Sequence, residues 1–505
     1  MKIRCTVLLI LGALSGCAVG PNYHAPDVHA PADFAARGTA ATVFVTTPGP
    51  DLATWWRSLN DPELNSLVER AVTANPDVLV ALTRLQQART YETVVLGHAL
   101  PEVDASGAAA RGTGSDLARG RAAQPLVSAD NSAGLQHINS IGGFESAWEL
   151  DLFGRVRREL EAAHDDSQAF AAARNAVLTT VIADVARAYF DLRGFQTKLA
   201  ILNKADSALG ESLRIVRIRY ERGITNELDL TLATRELAAL KAQIAPVQAQ
   251  IQAAQYALAT LLGQYPESLA PELEPSGLIP TLPEPASVGT PLEVLRRRPD
   301  VQQAERTLAS STARIGVATG NLFPRVTLVG AIGAQRQDWG TSPTVGKHIW
   351  SFGPGVIWPL LDFGALDAQV EIADLGARAA LIEYRRTLIN AVRDVDTTLV
   401  TFRATQDRLQ SLGDGVVAAA RAVTLATERY DRGLTQYLEV VDAERQLYDL
   451  ETLYVAAQVD AGEQFVNLYR NLGGGWQNYQ ATPSIRTPEP AVIAALRHVV
   501  GVAPP

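Results

Sequence analysis

The chain of 505 residues contains the same motifs twice, in the same order. Four motifs recur at one constant separation of 210 positions, which indicates an internal duplication. They are Trp148 and Trp358, Phe153–Gly154 and Phe363–Gly364, Arg219-Tyr220-x-x-Gly223 and Arg429-Tyr430-x-x-Gly433, and Leu262–Gly263 and Leu472–Gly473. We therefore predict two tandem repeats, over residues 61–265 and 292–475, joined by a proline-rich linker over 266–291.

Each repeat carries a long stretch with helical periodicity. After each Phe-Gly pair, apolar side chains recur at alternating steps of three and four residues, the pattern of a helix in a coiled coil. In the first repeat this seam predicts a long helix over Arg155–Arg219 and two shorter helices over Pro76–Leu100 and Asn226–Leu262. The seam includes Leu178, Val181, Val185, Leu192, Leu202, Leu209 and Val216.

Glycine and proline mark the ends and faults of these helices. Gly223 and Gly433 are predicted helix breaks at which the chain turns back. Pro246 lies inside the second short helix, where the other repeat has Ala456. Because proline lacks a backbone N–H, we expect a kink or a shortened helix there.

Between the helices the hydrophobic period changes from about 3.5 to 2. The alternation covers residues of about 102–152 in the first repeat and about 325–362 in the second. It is typical of the strands of membrane β-barrels. Four such strands cannot close a barrel, since a spanning barrel has no free edge and the smallest have about eight strands. If the strands cross a membrane, the chain must oligomerise.

The first residues predict export and lipid attachment. Lys2 and Arg4 precede a short apolar run, so residues 1–16 are a predicted signal peptide. The run ends in Leu14-Ser15-Gly16-Cys17, which resembles the bacterial lipobox, in which the cysteine is acylated. We expect a lipid-anchored segment over 17–60, with a plain secretory signal as the alternative. Residues 476–505 are predicted to form a loosely held tail.

Composition excludes several classes of function. The formal net charge of −9 argues against nucleic acid as a partner, because binding it requires a cationic surface. The seven histidines form no helix-spaced pair, so no metal site is expected. No nucleophile–base constellation and no phosphate-binding glycine loop is visible. We therefore expect no enzymatic activity and no cofactor other than the covalent lipid on Cys17.

The order and spacing of several further motifs resemble the lipoprotein branch of the TolC-like outer-membrane factor family. The resemblance implies a mainly α-helical fold with transmembrane β-strands. It implies a homotrimer that combines a long α-helical coiled-coil barrel in the periplasm with one 12-stranded β-barrel, four strands coming from each protomer. The motifs are Cys17–Tyr23, Trp55–Trp56, Asp61–Leu64, Asn75–Asp77, Trp148–Gly154 and the paired Arg-Tyr-x-x-Gly sequences.

The same resemblance implies a periplasmic gate near the second helix break. By motif, Tyr430 falls in its closing network, Glu439 and Asp442 fall on carboxylate rings, and Asp229 occupies the position equivalent to Glu439 in the first repeat. A well-known branch of the family has an arginine where this chain has Thr435, which puts an ion-pair lock in doubt. The alternative is that the acids are solvated residues near a helix start, where negative charge suits the helix dipole.

Three functions follow from the resemblance. The leading hypothesis is a passive outer-membrane channel of a Gram-negative bacterium that works with a periplasmic membrane-fusion adaptor and an inner-membrane pump of the resistance-nodulation-division type. The first alternative is the outer-membrane duct of a type I secretion system or an ATP-driven exporter. A periplasmic adaptor lipoprotein is a weaker alternative, because an adaptor would lack the 210-residue duplication. The cargo is not predicted.

Overall fold

A computed structural model describes residues 18–28, 30–35, 51–113, 136–274, 277–283, 288–339 and 345–479. The predicted signal peptide, Cys17 and residues 480–505 of the predicted tail lie outside these ranges. Within them the chain forms nine α-helices and four β-strands, besides short 3₁₀ segments. In chain order these are α1 (Pro62–Ala74), α2 (Pro76–His98), β1 (Glu102–Thr113), β2 (Gln136–Leu150), α3 (Arg155–Glu221), α4 (Glu227–Leu261), α5 (Ala270–Leu273), α6 (Pro291–Arg297), α7 (Pro299–Gly320), β3 (Arg325–Trp339), β4 (Val345–Ile357), α8 (Ala365–Asp431) and α9 (Tyr437–Asn471).

The helices repeat the duplication seen in the sequence. The long helices α3 and α8 each have 67 residues, and the shorter helices α4 and α9 each have 35. The predicted long and short helices are thus confirmed to within two residues. Of the kink or shortened helix predicted at Pro246, the shortened helix is wrong, because α4 runs through this residue, and the kink stays a prediction. Pro246 and Ala242, whose carbonyl loses its donor, are both exposed, so water can satisfy that carbonyl.

The predicted seam of α3 is buried. Leu178, Val185 and Leu192 are completely shielded from solvent, and Leu202 and Val216 nearly so. By length and composition α3 is also the one described helix that could cross a membrane, but half of its apolar window is buried inside the protein. The apolar character of α3 therefore follows from its packing in the helical core.

The four strands form one antiparallel sheet in the order β1-β2-β3-β4. Phe144, Ile332 and Trp350 are direct neighbours across β2, β3 and β4, and all three are exposed. The next row holds Glu145, Ala331 and Ser351, whose side chains lie on the opposite face because successive residues of a strand alternate. The sheet therefore has one apolar face and one face of small and polar residues.

Equivalent tryptophans join the sheet to the preceding helices. The indole N–H of Trp148 donates to the carbonyl of Ala99, just beyond α2, at 3.0 Å. Trp358 donates to Leu322, just beyond α7, also at 3.0 Å. Both rings are exposed. Each repeat thus uses the same contact to satisfy a carbonyl at a helix end.

The chain divides into two compact units, and each unit takes segments from both repeats. One comprises Met1–Phe34, Asp77–Arg174 and Thr290–Asp394, and it contains the sheet. The other comprises Ala35–Pro76, Asn175–Gly289 and Val395–Pro505, and it contains the two predicted helix breaks. The two repeats are therefore interleaved in each unit.

Candidate functional site

The two predicted helix breaks have the same local geometry. Gly223 and Gly433 have φ angles of 67° and 71°, in the left-handed region that glycine enters without strain. The N–H of each following residue, Ile224 or Leu434, donates to the carbonyl five residues earlier, which is the Schellman arrangement of a helix end. The arrangement lets α4 and α9 begin four residues after each glycine.

Tyr430, close to the second break, contacts one residue from each repeat. The guanidinium of Arg219 at the end of α3 lies 4.5 Å from the centre of its ring. The ring of Tyr437, the first residue of α9, lies 5.4 Å from it in a tilted arrangement. Among the described residues, the buried hydroxyl of Tyr430 has no hydrogen-bond partner. Tyr430 therefore acts through its ring in this structure.

Tyr437 is a site residue that the sequence analysis missed. Its side chain is almost completely buried, and its hydroxyl lies 2.6 Å from the hydroxyl of Ser212 on α3. Burial raises the pKa of Tyr437 to about 12, so the phenol keeps its proton and can donate to Ser212. The equivalent position in the first repeat is Glu227, so the duplication gave no sign of it. The one available signal was the seven-residue step from Tyr430.

Glu439 and Asp442 line the same open groove on the first turns of α9. Glu439 is exposed. The carboxylate of Asp442 accepts hydrogen bonds from Arg445 and Gln446, each at 2.8 Å. The structure therefore brings the two acids to one helix face, as predicted from their spacing. The groove is lined by Ala419, Ala422, Glu439, Asp442, Ala443 and Gln446.

Asp229 has a local structural role. Its backbone N–H donates to the side-chain oxygen of Asn226, the N-cap of α4, at 3.0 Å, and its carboxylate accepts a hydrogen bond from Thr225. In the part of the chain that the structure describes, no hydrogen bond joins Asp229 to Tyr430 or Glu439. Position 435, equivalent to Thr225, is also threonine, and its buried hydroxyl has no described partner. The two helix starts therefore differ in detail.

Glu444 is a second residue that the sequence analysis missed. It lies on α9 one seven-residue step beyond Tyr437, and its buried Oε2 atom has no hydrogen-bond partner among the described residues. Burial raises the pKa of Glu444 to about 7, with a further contribution from the carboxylate of Glu236 on α4. A seam position predicts an apolar residue, so a carboxylate there costs stability when ionised.

Over the described ranges, no group of three or more histidine, cysteine, aspartate or glutamate side chains is placed to hold a metal ion. The geometry around the two helix turns is therefore that of helix packing, ring contacts and exposed carboxylates.

Comparison with known proteins shows the family to which the chain belongs. The family model described as "Outer membrane efflux protein" matches residues 67–264 and 290–474, most of the chain and both repeats. The chain belongs to the outer membrane efflux protein family. The fold agrees: a solved structure of the outer-membrane channel OprN superposes with a TM-score of 0.81 at 36% identity, covering 91% of this chain and 100% of that one.

Other members of the family are similar over almost their full length. The open-state structure of the MtrE channel of Neisseria gonorrhoeae has a TM-score of 0.76 at 26% identity, covering 92% of this chain and 100% of that one. Nodulation protein T of Rhizobium leguminosarum bv. trifolii is 29% identical over 468 residues, 92% of this chain and 95% of that protein. The antibiotic efflux pump outer membrane protein ArpC of Pseudomonas putida is 28% identical over 486 residues, 94% of this chain and 97% of that protein.

Proposed function

We propose that this outer membrane efflux protein is a passive channel that assembles as a homotrimer and conducts small molecules from the periplasm to the exterior. Similarity to ArpC, an antibiotic efflux pump component, and to further relatives named for toluene and cation efflux supports export. We propose no enzymatic step and no cofactor beyond a covalent lipid, so the energy for transport comes from a partner.

The open sheet is the observation that carries this proposal. Among the described residues, β1 and β4 each have one neighbouring strand, so the sheet has two free edges. The apolar face bearing Phe144, Ile332 and Trp350 suits contact with lipid. The two free edges do not, because their backbone N–H and C=O groups have no hydrogen-bond partner inside a membrane. Pairing of β4 with β1 of the next copy removes every edge, and three copies supply 12 strands.

An exposed stripe on α8 supports the same assembly. Ile372, Leu375, Ile382 and Ile389 follow one another at steps of three and seven residues, and each is more than half exposed. Steps of this size place the four side chains on one helix face. An exposed seam of this kind is stabilised by packing against another helix, for which a second copy of the chain is the occupant we propose.

We propose that Cys17 carries the lipid anchor. The residues that follow Cys17 are held in place: the N–H of Val19 donates to the carbonyl of Phe153, next to the start of α3, at 3.0 Å. An acyl chain on Cys17 would therefore be attached two residues before Val19, which is hydrogen-bonded to the unit that contains the sheet. The mass of the mature N-terminal peptide tests this: a diacylglyceryl cysteine is expected, and an unmodified one contradicts it.

The proposed partners are a periplasmic membrane-fusion adaptor and an inner-membrane pump of the resistance-nodulation-division type. Exposed apolar residues stand at both helix turns, Ile224 and Leu228 at the first and Leu434 and Leu438 at the second. Such residues suit contact with the helices of an adaptor. The second candidate is a duct for a type I secretion or ATP-driven exporter, but ArpC and the relatives named for toluene and cation efflux are efflux components.

Reconstitution in planar bilayers tests the channel. The wild type is expected to run as a detergent-resistant trimer and to conduct ions. Ile382→Glu places a charge on the exposed stripe and is expected to abolish both properties, whereas Ile382→Leu, the matched control, retains both. A wild-type protein that is monomeric in mild detergent and gives no conductance would refute the proposal.

A further inference from the structure

The internal duplication relates contacts between the two repeats of one chain to contacts between two copies of it. Within one copy, β2 of the first repeat pairs with β3 of the second, and α3 packs on α7. We call this contact the internal junction. A position on β1 or α2 corresponds to the position 223 residues later, and one on β2 or α3 to the position 210 residues later. The equivalent junction between copies would join β4 and α8 of one copy to β1 and α2 of the next.

The strand registers follow this correspondence. In the first hairpin Glu102 pairs with Ala147, and in the second hairpin Arg325 pairs with Ile357. These are equivalent positions, so the two hairpins have the same register. The duplication therefore preserves strand pairing to the residue, and the same correspondence can be applied to the internal junction.

The internal junction then gives a register for the pairing between copies. Within one copy Ala147 on β2 pairs with Val329 on β3. The equivalent pair sets Ile357 on β4 of one copy opposite Ser106 on β1 of the next. Both of these side chains lie on the face of small and polar residues. A shift by one residue would instead set the apolar face of one copy beside the polar face of the next.

The exposed stripe on α8 has a buried equivalent on α3. Three residues of the stripe are more than half exposed, whereas their equivalents on α3 are all less than a tenth exposed. They are Ile372, Leu375 and Ile382 on α8, and Ala162, Asp165 and Ala172 on α3. Asp165 is covered by α7, whose Arg306 pairs with it at 3.3 Å. The stripe on α8 therefore occupies positions that are buried in the first repeat.

Two ion pairs of the internal junction identify the surface on α2 that corresponds to the covering face of α7. Arg306 pairs with Asp165, and Arg314 pairs with Asp166 at 2.6 Å, each pair joining α7 to α3. The equivalents of the two arginines are exposed and uncharged, and so are the equivalents of the two aspartates. They are Thr83 and Tyr91 on α2, and Leu375 and Gly376 on α8. Each ion pair is thus replaced as a pair, so neither surface presents a charge that the other leaves unmatched at these positions.

Apolar side chains flank these positions on α2. Leu79 lies one turn before Thr83, and Val94 lies one turn after Tyr91, so the four residues share a helix face. Leu79 and Val94 are each about half exposed. Since α2 leads into β1 and α8 follows β4, this face and the stripe continue from the two free edges of the sheet. A second copy of the chain therefore fits both the helix surfaces and the strand edges.

We propose that the α8 stripe of one copy docks on this face of α2 of the next copy, with Leu375 beside Thr83, and that β4 pairs with β1 with Ile357 opposite Ser106. The proposal deepens the channel function proposed above and rests on it. It assigns the surface that receives the stripe, the register of the strands and the replacement of two ion pairs by uncharged contacts. All of these residues lie in the unit that contains the sheet.

Transfer of an internal ion pair to the junction between copies tests the helix surface. Leu375→Asp copies Asp165 without its partner, so the fraction of full-length protein that forms a detergent-resistant trimer should fall about ten-fold or more. Adding Thr83→Arg, which copies Arg306, should restore this fraction to within about two-fold of the wild type. Thr73→Arg is the matched control, the same change at an exposed helix position outside α2, and should not restore it.

Disulfide formation tests the strand register without adding a charge. If Cys17 is acylated, Ile357→Cys with Ser106→Cys supplies the two free thiols of the mature chain. Opposite residues of antiparallel strands have Cα atoms about 4.5–5.5 Å apart, within the range that a disulfide spans. Mild oxidation of the trimer should therefore link its copies covalently on a non-reducing gel. Ile357→Cys with Asp104→Cys, on the same face but two residues out of register, should give less than about a tenth of the linked product.

The outcomes separate this proposal from the channel function on which it rests. A Leu375→Asp protein that assembles like the wild type, or a loss that Thr83→Arg repairs no better than Thr73→Arg, would overturn the helix surface. Linked product of equal amount from the two cysteine pairs would overturn the register. Failure of the channel function itself is distinguishable, since the wild type would then run as a monomer in mild detergent and give no conductance.

Discussion

Arg445 holds the carboxylate of Asp442 at 2.8 Å, one turn along the same helix, while Glu439 in the same groove has no such cation among the residues that the structure describes. The two acids expected on carboxylate rings are therefore electrically unequal. Charge on Asp442 is partly compensated by a guanidinium, even though an exposed pair of this kind adds little to stability. The field at a narrow opening would be set mainly by Glu439.

This inequality predicts how the acids affect ion selectivity. Glu439→Gln should lower the cation-over-anion permeability ratio more than Asp442→Asn, because it removes the uncompensated charge. Arg445→Gln should raise that ratio by releasing the charge of Asp442. Reversal potentials of the reconstituted trimer under a salt gradient measure all three. If Asp442→Asn has the larger effect, the assignment of Glu439 is wrong.

The raised pKa of Glu444 predicts that the stability of the protein depends on pH. Its pKa in the folded protein is about 7, above the ordinary value of 4.5, so between these values the folded state binds more protons than the unfolded state. Stability should therefore fall as pH rises from about 4.5 to 7 and level off above it. Glu444→Gln should raise the free energy of unfolding at pH 8 by about 1 kcal/mol, discounted for partial exposure, and change it little at pH 4.5.

Thermal unfolding of the detergent-extracted trimer across this pH range tests the prediction. The control is Glu439→Gln, since Glu439 is an exposed carboxylate on the same helix and its substitution should leave the free energy of unfolding at pH 8 within about 0.5 kcal/mol of the wild type. A Glu444→Gln protein whose midpoint follows the wild type from pH 4.5 to 8 would contradict the assignment of this group.

Much of the fold could be predicted because the sequence contains two copies of the same repeat. The 210-residue spacing aligned α3 with α8 and α4 with α9, and the seam through Leu178 and Val185 gave their buried face. Alternation with period 2 located the strands, because one face of the sheet is apolar. These are local, periodic signals that need no knowledge of tertiary contacts.

The contact between Ser212 and Tyr437 could not be predicted in the same way. Ser212 and Tyr437 are 225 residues apart and occupy unlike positions in the two repeats, so neither periodicity nor duplication pairs them. Side-chain rotamers at each helix start decide that Asp229 accepts from Thr225 and that the Thr435 hydroxyl has no partner within the described ranges. The sequence placed Tyr430, Glu439 and Asp442 in one region by resemblance, but it did not show which of their atoms have partners.

Glycine at position 333 permits a close approach of two strands. A Cβ atom there would lie 2.7 Å from the carbonyl oxygen of Gly142 on β2, a distance that forces the backbone to move. Gly333→Ala should therefore lower the yield of folded trimer several-fold. Gly353→Ala on β4, where a Cβ meets nothing within 4 Å, is the matched control and should assemble normally. The fraction of detergent-resistant trimer in outer-membrane extracts measures both, and equal yields would contradict this role of Gly333.

The side chain of Arg158 helps to hold the segment that follows Cys17. Its buried guanidinium donates to the side chain of Asn22 at 2.6 Å and to the carbonyl of Val19 at 3.2 Å, and it pairs with Glu161 at 2.7 Å. Gly316 leaves the space that the Arg158 side chain needs, since a Cβ there would lie 2.7 Å from it. These contacts hold the segment in addition to the hydrogen bond between the Val19 N–H and the Phe153 carbonyl.

Arg158→Gln should therefore destabilise the protein by about 1–3 kcal/mol, because it removes the hydrogen bonds and the ion pair that a buried guanidinium makes. It should also expose residues 18–28 to proteolysis in otherwise intact trimers, since local release requires less free energy than global unfolding. Arg386→Gln, which breaks an exposed pair with Glu383, is the control and should cost less than about 0.5 kcal/mol. Denaturant unfolding and timed protease digestion measure the two effects. A segment as resistant in Arg158→Gln as in the wild type would show that the β-strand end and α3 hold it without Arg158.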